Sequence, residues 1–324
     1  MRVAELRRRR AAAQLLVPGE RDAADVVRRL LAVQAQDPRA ARVALRTRGA
    51  ERVDESALVT TWLLRGTLHL VAVEDLGWLH ALTGALVRPQ TERRLAELGV
   101  APERALRVIE RALADGPLAR ADLADRLRAA GLSAEGQIVP HLLGLAASRG
   151  TLVLAGGAYA LTADVAPAAR AAPDRDDALA ELARRYLRGH GPATPDDLAA
   201  WSGLGLGDAR RGFAAVADPL RDVPDPPRRL PPRLLPAFDP YLLGWRDRGF
   251  AVPRDHAHDV HPGGGILRAV ATDGGRVVGT WTARRRGGRL AVAVSPFARL
   301  SARAARALEQ DAADVARFEG LEPA

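Results

Sequence analysis

Two short segments of the chain repeat each other, and this repeat limits what the chain can fold into. Residues 116–124 read GPLARADLA and residues 191–199 read GPATPDDLA, with five identities in nine positions and no gap. An amphipathic helical pattern precedes each copy, at residues 104–114 and 179–188. A repeat of this kind indicates one supersecondary unit used more than once. The fold is therefore expected to contain several small helical modules.

The first copy lies inside the clearest module of the chain. Helical patterns at residues 102–114, 120–130 and 134–149 precede two β-like runs, which are joined by a Gly-Gly pair typical of a tight hairpin turn. Helices followed by a small hairpin have the order of a winged helix. This segment therefore predicts a complete winged-helix domain at residues 101–165.

The first hundred residues show a similar order. Residues 2–16 and 21–36 have helical periodicity, and Asp37 opens a third helix. Residues 62–71 read as a strand or tight hairpin, preceded by a short helix that ends near Thr61.

The last hundred residues differ, because short β-like runs separated by Gly-Gly turns precede a predicted helix at residues 301–318. These runs predict a small antiparallel barrel or curled sheet. The predicted fold class is α+β and mainly α. It comprises three tandem winged-helix domains, at residues 1–100, 101–165 and 174–232, and a small C-terminal antiparallel β-barrel at residues 233–324.

Two residue types are missing, and their absence excludes several chemistries. All 48 basic residues are arginine, because the chain has no lysine. This excludes a P-loop lysine, a pyridoxal Schiff base and a lysine that cleaves DNA through an imine. The lack of cysteine excludes disulfides and cysteine-based metal sites. The net charge of +9 indicates an anionic partner, although dispersed charge also serves solubility.

Neither a membrane span nor a secretory signal is expected. No run of about 18 apolar residues occurs, and no apolar segment follows the four arginines at residues 7–10. We therefore expect a cytoplasmic protein.

Residues 31–38, LAVQAQDP, bring two glutamines to the end of an apolar helix. Asp37 and Pro38 read as the N-cap and first residue of a new helix, because proline disfavours helical angles in the preceding residue. Gln34 and Gln36 are then expected in an extended corner, where residues two apart point to the same side. Both amides could reach one ligand or one water near the positive end of the second helix. The ordinary alternative is that they cap helix ends or face solvent.

A metal site and a nucleophilic site are weaker candidates. His256 and His258 would share one face of a strand and could bind a metal together with Asp259 or His261. The Pro-Gly-Gly-Gly segment that follows predicts a polar loop instead, and no metal or other cofactor is expected. The chain has no Gly-x-Ser-x-Gly elbow, whereas a site of paired carboxylates stays open because acidic residues are many.

Two further features have both a functional and an ordinary interpretation. His69 lies in an apolar strand, where a hydrogen-bonded core histidine is the more common role. Arg284, Arg285 and Arg286 form the tip of a predicted hairpin, which could bind phosphates or simply be solvated.

Three motifs, read together, resemble one known family. They are Gln34-Ala35-Gln36, RGTLHLV at residues 65–71 and LPAFDPYLLGWRDR at residues 235–248. In this order they closely resemble the AlkZ-type winged-helix DNA glycosylases of bacteria. The resemblance spans the chain from the first module into the C-terminal sheet, and the last motif is the most distinctive. It implies three tandem winged helices and a β-barrel around a basic channel for DNA.

The resemblance also implies a catalytic centre, because a Gln-x-Gln motif has that role in the family and falls on Gln34 and Gln36. Glutamine rather than aspartate at position 36 resembles the branch associated with bulky alkyl lesions and interstrand crosslinks. The implied activity is hydrolysis of the N-glycosidic bond of N7-alkylated purines, by a water that the two glutamines position. With no lysine to form an imine, a monofunctional enzyme is expected.

The partner implied by the resemblance is double-stranded DNA, alkylated or crosslinked, bound by a monomer in the nucleoid region of the cytoplasm. The expected DNA-binding residues are Arg65, His69, Arg246, Arg248, Arg284, Arg285 and Arg286.

A non-catalytic DNA-binding regulator stays open as an alternative. Three winged helices and an excess of arginine suffice for it, and the glutamines would then be ordinary caps. A regulator should bind a preferred sequence and release no base, whereas a lesion enzyme should prefer damage. A metal-dependent hydrolase that uses His256 and His258 is a third alternative.

Overall fold

The chain forms an α+β fold in which helices predominate. A computed structural model describes residues 1–167, 174–218, 225 and 227–324. The helices are α1 (Val3–Ala13), α2 (Ala23–Leu30), α3 (Pro38–Thr47), α4 (Leu76–Glu97), α5 (Pro102–Leu113), α6 (Arg120–Ala129), α7 (Ile138–Ser148), α8 (Thr162–Val165), α9 (Arg175–His190), α10 (Pro195–Ser202), α11 (Leu206–Ala214), α12 (Pro240–Leu243), α13 (Ala257–Val260) and α14 (Ala302–Phe318). The strands are β1 (Val33–Gln34), β2 (Leu58–Leu63), β3 (Thr67–Ala72), β4 (Leu152–Ala155), β5 (Ala158–Leu161), β6 (Arg233–Leu235), β7 (Val270–Asp273), β8 (Arg276–Arg286), β9 (Arg289–Pro296) and β10 (Glu322–Pro323).

The first five strands form one antiparallel sheet in the order β1-β3-β2-β4-β5. The predicted hairpins of the first two modules are therefore joined edge to edge through β2 and β4. The turn between β4 and β5 contains Gly156 and Gly157 at φ of +55° and +84°, which suits a primed hairpin turn. Val59, Leu63 and Val71 of this sheet share a core with Leu79 of α4 and Leu182 of α9.

Two local predictions in the first module are wrong. Residues near Thr61 form strand β2 rather than a helix, and Thr61 pairs with His69 of β3. The β-branched run at residues 59–61 favours this extended form. The second helix ends at Leu30 rather than at residue 36, because Leu31 turns to a φ of +69°. The chain then pairs with β3 as the short strand β1.

The nine-residue repeat has a physical cause at the starts of α6 and α10. In the second copy, Thr194 accepts from the backbone N–H of Asp197 at 3.2 Å, and Asp197 accepts from the N–H of Thr194 at 3.0 Å. In the first copy, Asp122 accepts from the N–H of Ala119 at 3.2 Å. The aspartate common to both copies therefore satisfies the N-terminal backbone of the helix that follows.

The third module contains helices α9, α10 and α11, as the repeat predicts. No strand occurs among the described residues between 174 and 232. Part of that segment, residues 219–224 and 226, lies outside the described residues, as do residues 168–173 of the preceding linker.

The C-terminal sheet has the order β10-β9-β8-β7-β6 and is open. Strands β6 to β9 are antiparallel, whereas β10 runs parallel to β9. The edge strands β6 and β10 do not pair with each other, so the sheet is a half-barrel, where the sequence predicted a small antiparallel barrel or curled sheet. Helix α14, capped by Ser301, covers the sheet, and its buried Asp311 accepts from the N–H of Leu234 at 2.7 Å.

A buried ion pair connects α3 with the segment before α12. The Nη1 and Nη2 atoms of Arg48 donate to the two carboxylate oxygens of Asp239 at 2.9 and 2.7 Å, and both side chains are fully buried. Asp239 also accepts from the N–H of Tyr241 at 2.8 Å and so caps α12. Helix α3 is thereby fixed to the C-terminal part of the protein. Within the described residues, no helix is long and apolar enough to cross a membrane.

Candidate active site

Gln34 and Gln36 lie on the same side of the extended segment between α2 and α3. Gln34 is the last residue of β1 and pairs with His69, and the next residue, Ala35, donates its N–H to the carbonyl of Leu68 at 2.8 Å. The side-chain Nε2 of Gln34 donates to Oε1 of Gln36 at 3.0 Å. Neither glutamine caps α3, because the carboxylate of Asp37 accepts from the first free N–H groups of that helix.

The two amides keep polar atoms that can bind a further group. Gln34 is half-buried and Gln36 is exposed. Among the described residues, Oε1 of Gln34 accepts no hydrogen bond and Nε2 of Gln36 donates none. An amide oxygen has two lone pairs, so Oε1 of Gln36 can accept a second hydrogen bond. Two carbonyl oxygens are thus available beside the start of α3.

His69 is a buried, neutral neighbour of Gln34. It lies directly opposite Gln34 on β1 and Thr61 on β2, so the three side chains share one face of the sheet. Burial lowers the pKa of His69 to about 3, and the positive charge of Arg65 adds to this effect. Its Nδ1 is 2.9 Å from the carbonyl oxygen of Thr67. Because a carbonyl only accepts, Nδ1 carries the proton and Nε2 keeps a lone pair.

Thr61 completes this buried polar set. Its hydroxyl is buried and has no hydrogen-bond partner among the described residues. The sequence around Thr61, between Thr60 and Trp62, does not indicate that its hydroxyl lies beside His69 and Gln34. Only the pairing of β2 with β3 brings it opposite His69.

Arg65 lies in a 3₁₀ turn, Leu64–Gly66, between β2 and β3, and has a left-handed φ of +55°. Such a φ is uncommon for a residue with a side chain and is often found at functional sites. Its guanidinium donates to the carbonyl of Trp201. Burial lowers the pKa of Arg65 to about 10, and the nearby charge of Arg248 lowers it further.

The two arginines of the last motif have different surroundings. Arg248 is half-buried, and its Nε donates to the carbonyl of Leu242 at 2.7 Å. Arg246 is exposed and forms a salt bridge of 3.0 Å with Asp196. Both line an open cleft with a volume of about 580 Å³, whose walls come from Arg7 of α1, residues 246–261 and Arg276 of β8.

The basic hairpin tip is exposed to solvent. Arg284, Arg285 and Arg286 lie at the end of β8, and none of them forms a side-chain hydrogen bond or salt bridge within the described residues. The hairpin packs through Leu290 against Val43 of α3. The tip is therefore supported by the helix that begins beside Gln36.

The histidines after residue 255 do not form the strand that a metal site would have used. His256 ends a 3₁₀ turn, Arg254–His256, and His258 lies in α13. The ring of His256 stacks on Phe297 at 3.9 Å, and its Nδ1 is 2.8 Å from a carboxylate oxygen of Asp259. Over the residues that the structure describes, no three His, Cys, Asp or Glu side chains are placed to hold a metal ion.

Comparisons with known proteins agree on one family. The family described as DNA glycosylase AlkZ-like matches residues 27–318. The chain is 30% identical to an interstrand DNA cross-link repair glycosylase of Streptomyces sahachiroi, over 92% of this chain and 91% of that protein. It is also similar in structure to the Streptomyces sahachiroi DNA glycosylase AlkZ, with a TM-score of 0.75 and 25% identity. That similarity covers 99% of this chain and 97% of the other.

Proposed function

The chain belongs to the family of AlkZ-like DNA glycosylases, and from this premise we propose that it is a monofunctional glycosylase for N7-alkylated purines in double-stranded DNA, interstrand crosslinks included. The observation that carries the proposal is the hydrogen bond of 3.0 Å between Gln34 and Gln36. It holds both amides on one side of an extended segment, at the family's Gln-x-Gln position.

The two amide oxygens can orient a water for attack. Oε1 of Gln34 and the second lone pair of Oε1 of Gln36 accept the two protons of the water, so its own lone pair points away from them. That lone pair attacks C1′ of the sugar as the C1′–N9 bond breaks. The bonding electrons go to the purine, and the proton that the water loses goes to solvent.

Neutral groups suit this reaction better than titrating ones. A purine alkylated at N7 is already positively charged, so it leaves as a neutral base without a general acid. The sugar passes through a cationic, oxocarbenium-like state, which the partial negative charge of amide oxygens stabilises. Since amides do not titrate, the positions of the two oxygens do not depend on pH.

Several arginines are proposed to hold the DNA. Arg246 and the tip residues Arg284, Arg285 and Arg286 are exposed and can reach phosphates. Arg65 and Arg248 are half-buried, and Arg65 lies close enough to His69 to lower its pKa. His69 is only 2% exposed, so it is too buried for the DNA contact that the sequence predicted. Its proposed role is to support Gln34, which lies opposite it in the sheet.

The same proposal covers the modular organisation. We interpret residues 1–100, 101–165 and 174–232 as three winged-helix domains, the third without a hairpin among its described residues, and residues 233–324 as the half-barrel that follows them. The helix and hairpin order of the first two segments and the capping repeat shared by the second and third support this interpretation. We propose that the protein acts as a monomer.

The test is release of 7-methylguanine from an oligonucleotide duplex with one lesion, measured at saturating protein in a single turnover. We expect Gln34→Ala and Gln36→Ala each to lower the rate by about 100-fold or more, the effect typical of a lost transition-state hydrogen bond. Gln90→Ala, which changes an exposed glutamine of α4, is the matched control. The product should be an abasic site that is cleaved only after alkali.

Two results would count against the proposal. Equal rates for the wild type and both variants would remove the glutamines from the catalytic centre. If the wild type released no base and bound one undamaged sequence preferentially, the DNA-binding regulator would be favoured. A duplex with an N7-linked crosslink tests separately whether the substrate range includes crosslinks.

A further inference from the structure

The cleft formed by Arg7 of α1, residues 246–261 and Arg276 of β8 has a strong excess of positive charge. Its volume is about 580 Å³, and its polar wall contains five arginines and a single carboxylate. The arginines are Arg7, Arg246, Arg248, Arg254 and Arg276. They come from three separate parts of the chain, namely residue 7, residues 246–254 and residue 276, so only the fold brings them together.

Four of these five arginines have no carboxylate partner among the described residues. The Nε of Arg7 donates to the carbonyl of Phe250 at 2.8 Å, and Arg248 donates to the carbonyl of Leu242. The side chains of Arg254 and Arg276 form no hydrogen bond or salt bridge in the part of the chain that the structure describes. Arg276 is close enough to Arg7 to lower the pKa of Arg7, in addition to the larger effect of burial.

Exposed arginines elsewhere in the protein are often paired. Arg149, for example, lies 2.9 Å from Glu103, and Arg128 lies 2.7 Å from Asp125. Like charges placed together repel each other, and Asp247 is the single carboxylate that lines this cleft beside its five arginines. An anion bound between them would relieve this repulsion.

The floor of the cleft is apolar. Ala251, Val252 and Val260 line it and are almost fully buried. A small inorganic anion needs no such floor, whereas a sugar–phosphate backbone has an apolar sugar face beside each charge. The volume lies within the range that holds a group of nucleotide size.

We propose that this cleft binds a phosphodiester segment of the DNA strand, with a sugar against Val252 and Val260 and phosphates beside Arg7, Arg254 and Arg276. The inference rests on the proposed function, because it takes DNA as the substrate. It adds a second phosphate-binding surface to the exposed tip at residues 284–286.

The cleft connects with the glutamine segment through a short series of residues. Arg248 lines the cleft and lowers the pKa of Arg65, although burial contributes more. The charge of Arg65 in turn lowers the pKa of His69, in addition to the larger effect of burial. His69 lies opposite Gln34. The cleft and the sheet that carries Gln34 are therefore neighbours in the fold.

The test measures DNA affinity as a function of salt. The double variant Arg254→Gln, Arg276→Gln removes two exposed guanidinium groups, neither of them in the motifs of the family. We expect the slope of log K against log salt to become shallower by about 1.8, since each phosphate contact contributes about 0.9. By the same relation, the Kd for a short duplex should rise by roughly 60-fold at 0.1 M salt.

A matched control is Arg128→Gln, Arg149→Gln, which removes the same formal charge from arginines that have carboxylate partners. Its salt slope should stay within experimental error of the wild type. An equal change in both double variants would mean that only net charge matters, and would overturn the proposal.

A second measurement locates the contact on the DNA. Single neutral methylphosphonate linkages are placed one by one along the strand that carries the lesion. We expect two or three adjacent positions to weaken binding of the wild type but not of Arg254→Gln, Arg276→Gln. Identical profiles for both proteins would overturn the inference.

Failure of the cleft and failure of the glycosylase proposal give different results. Binding is measured without base release, so a protein that releases no base still tests the cleft. An unchanged salt slope would refute the cleft and leave the comparison of Gln34→Ala and Gln36→Ala intact.

Discussion

Asp239→Asn should destabilise the protein strongly, because it leaves a buried guanidinium without a negative partner. Arg48 and Asp239 are both fully buried and joined by two hydrogen bonds of 2.9 and 2.7 Å. Asparagine keeps the shape of aspartate and can still accept from the N–H of Tyr241. The change therefore removes the charge and leaves the cap of α12 in place.

The loss should be about 3 kcal/mol of unfolding free energy. Removing one partner of a buried ion pair costs about 3–5 kcal/mol, since the other charge remains buried. Two neutral oxygens still accept from Arg48, namely Oε1 of Gln14 at 2.9 Å and the carbonyl of Ala44 at 2.8 Å. We therefore place the loss at the lower end of that range.

The measurement is urea unfolding of the wild type and three variants. Asp196→Asn is the matched control, because Asp196 pairs with Arg246 at the surface, where such pairs contribute about 0–1 kcal/mol. The double variant Arg48→Met, Asp239→Asn buries no charge at this site, so most of the loss should return. A loss below about 1 kcal/mol for Asp239→Asn, or a double variant weaker than the single one, would refute this reasoning.

Three further predictions follow from burial and close packing. Burial lowers the pKa of both His69 and His190 to about 3, so between pH 6.5 and 3 the unfolded chain binds more protons. The free energy of unfolding should therefore decrease as the pH is lowered from 6.5 to 3. At pH 5 the loss relative to neutral pH should be about 2 kcal/mol per histidine, as measured by urea unfolding. Because His69 stays neutral, base release should vary by less than about threefold from pH 6 to 8, whereas a titration near 6.5 would assign it a catalytic proton. A Cβ at Gly189 would lie 2.4 Å from the carbonyl oxygen of Arg29, so Gly189→Ala should cost about 1–3 kcal/mol, whereas Gly207→Ala, which meets open space, should cost nothing.

The features that could be predicted from the sequence are those fixed by a few neighbouring residues. Asp37 and Pro38 set the start of α3 and so the extended backbone at the glutamines. The paired glycines at residues 156–157 marked a hairpin turn that needs positive φ at both positions. The repeat at residues 116–124 and 191–199 reflects the same aspartate at the start of two helices.

The features that could not be predicted depend on distant partners. β1 exists because residues 33–34 pair with β3, and a two-residue strand has no periodicity of its own. The half-barrel stays open because β6 and β10 never meet, which hairpin signals do not determine. The cleft joins Arg7 to Arg276, and no sequence spacing connects residues so far apart.

Under the proposed function, the phosphates and the reacting sugar of the DNA need different electrostatic surroundings. The phosphates of DNA need positive charge, which exposed arginines such as Arg246 and Arg284 can supply. The sugar that loses its base becomes positive itself, so a positive charge next to it would oppose the reaction. A unit charge about 5 Å away would cost about 3 kcal/mol at an effective dielectric constant of about 20, or more than 100-fold in rate. Under this proposal, the burial that keeps His69 neutral beside Gln34 also keeps a positive charge away from the sugar.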